Sequence, residues 1–273
     1  MKYKKLGFIG GGHMARSIIS GLVKDNYPCE LIYVSDPSQN KLNALQQQFS
    51  IQVQTDNQAV AEQAEVLVFA IKPQQIMDVL NELSTIVQQR QPLVISIAAG
   101  INTAAIQHYL GKQLPIVRCM PNTPALMGAG ITGLFATELV ISSHKALAES
   151  IMRAVGVTLW VKNEADIDTI TAISGSGPAY FFYIFEALEA AGVQLGFSQA
   201  DARLLVLQTA LGAAQLAMLS DNDVAQLRAQ VTSPGGTTEQ ALAWLQSRNV
   251  DTILQEAVFV AKKRAEELSQ LLD

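Results

Sequence analysis

The chain has 273 residues, 49% of them hydrophobic and 16% charged, with a formal net charge of −5 and a pI near 5.3. That length predicts two domains, and the composition predicts a large buried core with further surface buried in an oligomer. The acidic balance, with no basic run beyond Lys262-Lys263-Arg264, excludes a nucleic-acid binder; Cys29 and Cys119 have neither disulfide-framework nor metal-ligand spacing and read as free thiols in a reducing cytoplasm.

Met1-Lys2-Tyr3-Lys4-Lys5 and the apolar residues behind it imitate the start of a signal peptide. The apolar run is short, broken by glycine and followed by Arg16, so it reads as a first strand. Apolar runs at Leu6–Ile9, Leu31–Val34, Val66–Ile71, Leu93–Ile97 and Ile116–Met120 predict strands. Helical spacing fills the intervals at Met14–Lys24, Ser38–Phe49, Asn57–Gln63, Gln74–Val87 and Thr103–Leu110. This alternation, with continuously apolar strands, predicts a parallel sheet covered on both faces. Ile131–Ala136 and Val157–Val161, around a helical Ser143–Ala154, are expected to complete the sheet at its edge. Residues 1–163 are thus expected to form an α/β domain, which the glycine fingerprint and the resemblance described below make a Rossmann-type dinucleotide-binding domain.

From about Asn163 the pattern is helix only, at Asp168–Ala191, Ser198–Leu219, Asp223–Gln230, Thr238–Ser247 and Asp251–Leu271. Residues 164–273 are expected to be an all-α domain, to which the apolar helices, the cradle and the resemblance described below assign dimerisation and substrate binding. Tyr180–Ala191 is interrupted by Glu186 and Glu189, and Leu204–Leu219 carries Gln208, Thr209 and Gln215. Neither reaches roughly 18 unbroken apolar residues, so both are expected to be buried helices of a soluble protein with no membrane partner. They are apolar on nearly every face and need cover on all sides. A domain of about 110 residues has little interior for that, so a second subunit is the expected cover.

Gly10-x-Gly12-x-x-Ala15 follows a strand and opens a helix, the setting a dinucleotide fingerprint requires. Gly10 permits the tight turn, Gly12 lets a pyrophosphate approach, and Ala15 keeps the helix close to the sheet. His13, within the loop, is either a donor near the phosphates or a solvent-facing residue. Asp36 closes the second strand 21 residues after Ala15. An acidic residue there holds ribose hydroxyls and points to NAD, whereas Ser35, Ser38 and Lys41 could accommodate a 2′-phosphate; NADPH and NADH both remain open. Ala70-Ile71-Lys72-Pro73 brings a lysine and a proline-started helix to the carboxyl edge of the sheet, where Lys72 is a cofactor contact or a solvated strand end.

In Val231–Glu239 a Pro-Gly-Gly turn meets two threonines directly before a helical pattern. A threonine N-cap with unpaired N–H groups behind it makes a small anion cradle, or else only a capped turn. A cofactor loop and a carboxylate-sized cradle in one chain point to a dehydrogenase acting on a small acid.

These segments together resemble the pyrroline-5-carboxylate reductase family over essentially the whole chain. The resemblance rests on Gly7-Phe8-Ile9-Gly10-Gly11-Gly12-His13-Met14-Ala15, Ala70–Pro73, Ser96-Ile97-Ala98-Ala99-Gly100, Arg118-Cys119-Met120-Pro121-Asn122-Thr123-Pro124, Ser174-Gly175-Ser176-Gly177-Pro178-Ala179-Tyr180 and Ser233–Thr238. It implies a Rossmann domain followed by a helical domain that interlocks with a second subunit, as a homodimer and often a ring of dimers such as a decamer. The implied reaction is hydride transfer from NADPH or NADH to the C=N carbon of 1-pyrroline-5-carboxylate, giving L-proline. The implied cofactor set is Gly10, Gly12, His13, Met14, Ala15, Ser35, Asp36, Asn57, Ala70, Lys72, Pro73, Ala98 and Asn122, with no metal. Asn122 and Thr123 are expected to line the nicotinamide pocket, and Ser174–Gly177 to cross the domain boundary near the substrate or simply to allow close helix packing.

The substrate carboxylate needs fixed donors, which the amides of Gly235, Gly236, Thr237 and Thr238 and the Ser233 hydroxyl can supply. The Thr238 hydroxyl is expected to hold the ring nitrogen, unless it caps the helix instead. An imine protonated before it binds already accepts hydride, so positioning can supply most of the rate without an acid residue; a threonine- or water-mediated proton transfer is the alternative. A related dehydrogenase of another small imino or hydroxy acid is the nearest rival. The hydroxy-acid enzymes of that group need a lysine in the helical domain, and none lies between Asp166 and Asn249. A non-catalytic dinucleotide sensor would have no use for the Ser233–Thr238 cradle.

Overall fold

A computed structural model of the chain describes residues 3–111 and 113–270. They form two compact units, one running to Ser176 and resuming at Ala261, the other spanning Gly177–Val260. The first unit is built on an eight-stranded sheet with strands β1 (Leu6–Ile9), β2 (Ile32–Ser35), β3 (Gln52–Gln54), β4 (Val66–Phe69), β5 (Leu93–Ser96), β6 (Ile116–Met120), β7 (Gly130–Ala136) and β8 (Gly156–Trp160). Their spatial order is β3-β2-β1-β4-β5-β6-β7-β8. All neighbours are parallel except β6 and β7, which pair antiparallel with Cys119 opposite Leu134.

The residue types explain this order. Every residue of β1, β4 and β5 is buried, as strands covered on both faces must be. β8 alternates between half-buried and exposed residues, which suits the edge it occupies. β3 has no strand signal in the sequence, because Gln-Val-Gln is too short and polar; it pairs with β2 at the other edge. Helices α1 (His13–Lys24), α2 (Gln39–Phe49), α3 (Asn57–Gln63), α4 (Pro73–Arg90), α5 (Thr103–Leu110) and α6 (Ser142–Arg153) cover the sheet. One apolar cluster joins α1 and α2 to the sheet, and a second joins α3, α4 and α5 to it. In α4, Pro73 occupies the first turn, and Ile76, Leu80, Leu83 and Val87 form the buried stripe. Each such fully buried aliphatic side chain contributes about 1.5–3 kcal/mol of transfer energy.

After β8 the chain forms a short helix, α7 (Asp166–Ile170), then a π-helical turn at Thr171–Gly175. The turn closes through the Ser176 amide donating to the Thr171 carbonyl at 2.8 Å. The long helix expected from Asp168 to Ala191 is therefore interrupted, and α8 (Gly177–Gln194) begins afresh. Small residues around Gly175 and Gly177 carry no propensity strong enough to hold the ordinary register through that point. α9 (Gln199–Leu219), α10 (Val224–Gln230), α11 (Thr237–Ser247) and α12 (Val250–Gln270) follow; the expected end at Leu271 lies outside the described residues.

Within the second unit, α8 and α9 approach closely at Gly192, where an added Cβ would lie 3.0 Å from that of Ala202. The prediction that α8 and α9 are buried does not hold within one chain. Phe181, Phe182, Tyr183, Leu204, Leu205 and Leu211 are exposed. α9, with a mean hydropathy of 1.4, also meets the length and composition of a membrane-crossing helix.

Candidate functional site

The cofactor loop forms at the carboxyl ends of β1 and β4, on either side of the point where the strand order reverses. Its glycines serve different ends. Gly10 has φ +100°, and a Cβ there would lie 2.6 Å from the Ala70 carbonyl oxygen, so the fold itself demands glycine. Gly12 has an ordinary φ of −72° and open space where its Cβ would be. Folding does not require glycine at that position, and the backbone there is open to an approaching group. Gly12 is the N-cap of α1 and no side chain caps it, so the first-turn amides of His13 and Met14 are left for a ligand. Ala15 is fully buried against the sheet, and His13 points into solvent. This loop fits a dinucleotide pyrophosphate.

Asp36 is only 5% exposed, and its carboxylate is turned towards the loop. Oδ2 accepts from the Gly11 amide at 3.0 Å and Oδ1 from the Ser38 amide at 2.9 Å. Lys41 Nζ lies 3.3 Å from Oδ2 while its own side chain remains largely exposed. Ser35 is buried and donates to Asn57 Oδ1 at 2.7 Å, and Asn57 in turn donates to Glu82 at 3.3 Å. Ala70 continues β4 through its amide bond to the Ile9 carbonyl, and exposed Lys72 is the N-cap of α4 immediately before Pro73. Ala98 is buried just beyond β5. Asn122, just beyond β6, is locked by its own side chain, with Oδ1 accepting from the Ile131 amide at 2.9 Å and Nδ2 donating to the Ser174 carbonyl at 3.1 Å.

In the helical unit, Ser233–Gly236 is a tight turn closed by the Gly236 amide to the Ser233 carbonyl at 3.0 Å. Proline at its second position and Gly235 at φ +72° in its third make it a type II turn, which requires that glycine. The N-cap of α11 is Gly236, correcting the expectation of a threonine cap, because the extended glycine backbone already ends the turn. The Gly235 amide donates to Glu239 Oε2 at 2.7 Å. The free first-turn donors are thus the amides of Thr237, Thr238 and Glu239, and among the described residues the hydroxyls of Ser233, Thr237 and Thr238 make no hydrogen bond. This is an open, uncapped helix start carrying three free hydroxyls.

A family profile described as pyrroline-5-carboxylate reductase dimerisation matches residues 164–268, and one described as NADP oxidoreductase, coenzyme F420-dependent, matches residues 5–100. The pyrroline-5-carboxylate reductase of Pseudomonas aeruginosa is 42% identical over 272 residues, covering 100% of this chain and 99% of its own. The chain belongs to the pyrroline-5-carboxylate reductase family. Among solved structures, a pyrroline-5-carboxylate reductase from Coxiella burnetii superposes with a TM-score of 0.93 at 48% identity, over 98% of this chain and 99% of that one. The Plasmodium falciparum pyrroline carboxylate reductase, solved with NADP bound, gives 0.88 at 31% identity over 98% and 99%.

Sequence reasoning missed one feature that this family member carries beside Asn122. Arg118, in the middle of β6, is 3% exposed and pairs with Glu164 at 3.2 Å and Asp168 at 3.1 Å. A single charged residue inside an otherwise apolar strand was the available signal.

Proposed function

We propose that the protein reduces 1-pyrroline-5-carboxylate to L-proline with NADPH or NADH, the last step of proline synthesis. The observation that carries this reading is the uncapped start of α11, with free Thr237 and Thr238 amides, in a chain related over its full length to enzymes of that name. Gly10, Gly12, His13, Met14, Ala15, Asp36, Ala70, Lys72, Pro73, Ala98 and Asn122 would hold the dinucleotide, with Ser35 and Asn57 behind them. That cofactor, when bound, supplies the hydride.

The substrate carboxylate would accept from the Thr237 and Thr238 amides and the Ser233 hydroxyl, with Gly235 and Gly236 keeping the approach free of side chains. The Thr238 hydroxyl would hold the ring nitrogen, a role left open to it because Gly236 and not Thr238 is the cap. The imine carbon gains the hydride and the ring nitrogen keeps its proton, so positioning is the main work of these residues.

The region 164–273, matched over 164–268 by the dimerisation profile, would form the substrate-binding and dimerisation domain. A second copy would cover the apolar faces of α8 and α9, and a ring of dimers such as a decamer would follow. The free thiols of Cys29 and Cys119 suit a cytoplasmic location.

The test is oxidation of NADH and of NADPH, followed at the nicotinamide absorbance, with and without 1-pyrroline-5-carboxylate. Substrate-dependent oxidation is expected. Its absence in a folded protein that binds dinucleotide would return the hydroxy-acid and sensor readings. Light scattering on the same sample reads the assembly.

A further inference from the structure

We infer that Arg118 is a positioning residue: through Glu164 and Asp168 it fixes the segment whose far end holds the Asn122 side chain in place. This rests on the reading of Asn122 as a nicotinamide-side residue. The guanidinium is buried in β6, with one nitrogen on Glu164 and another on Asp168. Glu164 is itself held by the Thr103 amide at 2.7 Å and hydroxyl at 2.6 Å, at the first turn of α5, where a carboxylate is favoured. Asp168 also accepts from Ser269 at 3.5 Å, so the chain on its way out of this unit and the helix returning to it meet at one cluster.

α7 then lies directly on β7. A Cβ on Gly133 would come 2.4 Å from Ile170 Cδ1, so this strand carries glycine to let the helix down. The π-helical turn follows, and the Ser174 carbonyl near its end accepts a hydrogen bond from Asn122 Nδ2. Segment 164–176 is therefore pinned at its start by Arg118 and at its end by Asn122, both from β6 and the residues just after it. A buried arginine flanked by two carboxylates is expensive to desolvate and gives weak grounds for a stabilising role, whereas two bonds in a fixed fork specify one position for the helix.

The experiment compares wild type, Arg118→Lys and the charge-free triple variant Arg118→Met/Glu164→Gln/Asp168→Asn. The triple variant leaves no buried charge unpaired, so its melting temperature is expected to stay near that of wild type. Its kcat is expected to fall about ten-fold or more while the KM for reduced dinucleotide moves less than about two-fold, a split that a loss of folded protein does not produce. A kcat within about two-fold of wild type in the folded triple variant would overturn the inference.

Arg118→Lys keeps the charge but not the fork; an intermediate kcat is expected, and full wild-type turnover would likewise overturn it. Amide hydrogen exchange supplies a readout free of catalysis. Protection of the Ile131 amide, bonded to Asn122, is expected to drop in both variants while the β1 and β4 amides stay protected, and unchanged Ile131 protection would overturn the inference. Wild type that turns over no 1-pyrroline-5-carboxylate would end the functional reading alone, and the exchange data would still decide the role of Arg118.

Discussion

The Gly11 amide donates to Asp36 Oδ2 at 3.0 Å, so the acidic residue at the end of β2 acts on the glycine loop itself. With the Ser38 amide on Oδ1 and Lys41 alongside, the carboxylate ties the β1–α1 loop to the start of α2. Asp36→Ser is expected to have two separable effects. Leaving these buried donors without an acceptor should cost about 1–3 kcal/mol, read by urea denaturation. Removing a negative charge beside the exposed Lys41 ammonium should raise the kcat/KM ratio of NADPH to NADH. Lower stability with an unchanged ratio would show that Asp36 serves the loop alone.

Gly10 and Gly12 should separate folding from binding. Gly10→Ala places a Cβ against the Ala70 carbonyl at a φ that L-residues avoid, and backbone strain alone is worth about 1–3 kcal/mol. A clear drop in melting temperature is expected. Gly12→Ala meets nothing, so the melt should hardly move while dinucleotide affinity falls about ten-fold, or about 1.4 kcal/mol. Thermal melts and dinucleotide titrations on the two variants decide it; unchanged affinity in Gly12→Ala would remove the pyrophosphate from that loop.

Thr238→Ala tests the substrate role with little structural interference, since Thr238 does not cap α11. Its stability should stay within about 0.5 kcal/mol of wild type. Turnover of 1-pyrroline-5-carboxylate should fall on the order of 100-fold with the dinucleotide KM nearly intact. Equal loss of both would contradict the assignment.

His144, at the start of α6, lines a cavity of about 250 Å³ with Lys4, Glu65 and Arg90. Its Nδ1 is shielded from water and unpartnered, and burial, followed by the nearby Lys4 charge, holds the imidazole below its ordinary value. The unfolded chain, titrating near about 6.5, then binds more protons than the folded one. Stability from this source is present above about pH 6.5 and is lost as the pH falls towards the lower folded value. His144→Gln should flatten that acid-side loss. Urea midpoints measured between about pH 7.5 and about pH 5 check it, and identical slopes would assign the loss to another group.

Much of this protein was legible locally. Short apolar runs alternating with helical spacing determined a parallel sheet with helices on both faces, since residues buried on both sides of a strand leave no polar alternation. Gly10-x-Gly12-x-x-Ala15 and Pro234-Gly235-Gly236 located both loops, because positive φ and close backbone approach narrow the choice of residue. What needed the tertiary structure was the partner of each polar group. That Asp36 faces Gly11 and that Ser35 is occupied by Asn57 depend on groups from separate elements meeting in space. The π-helical turn at Thr171–Gly175 and the Arg118 cluster were hidden for the same reason. Local propensity cannot show that β6 and the residues just after it will hold segment 164–176 at two points, and a buried charge is tolerated only when its partners, 46 and 50 residues away, have been folded against it.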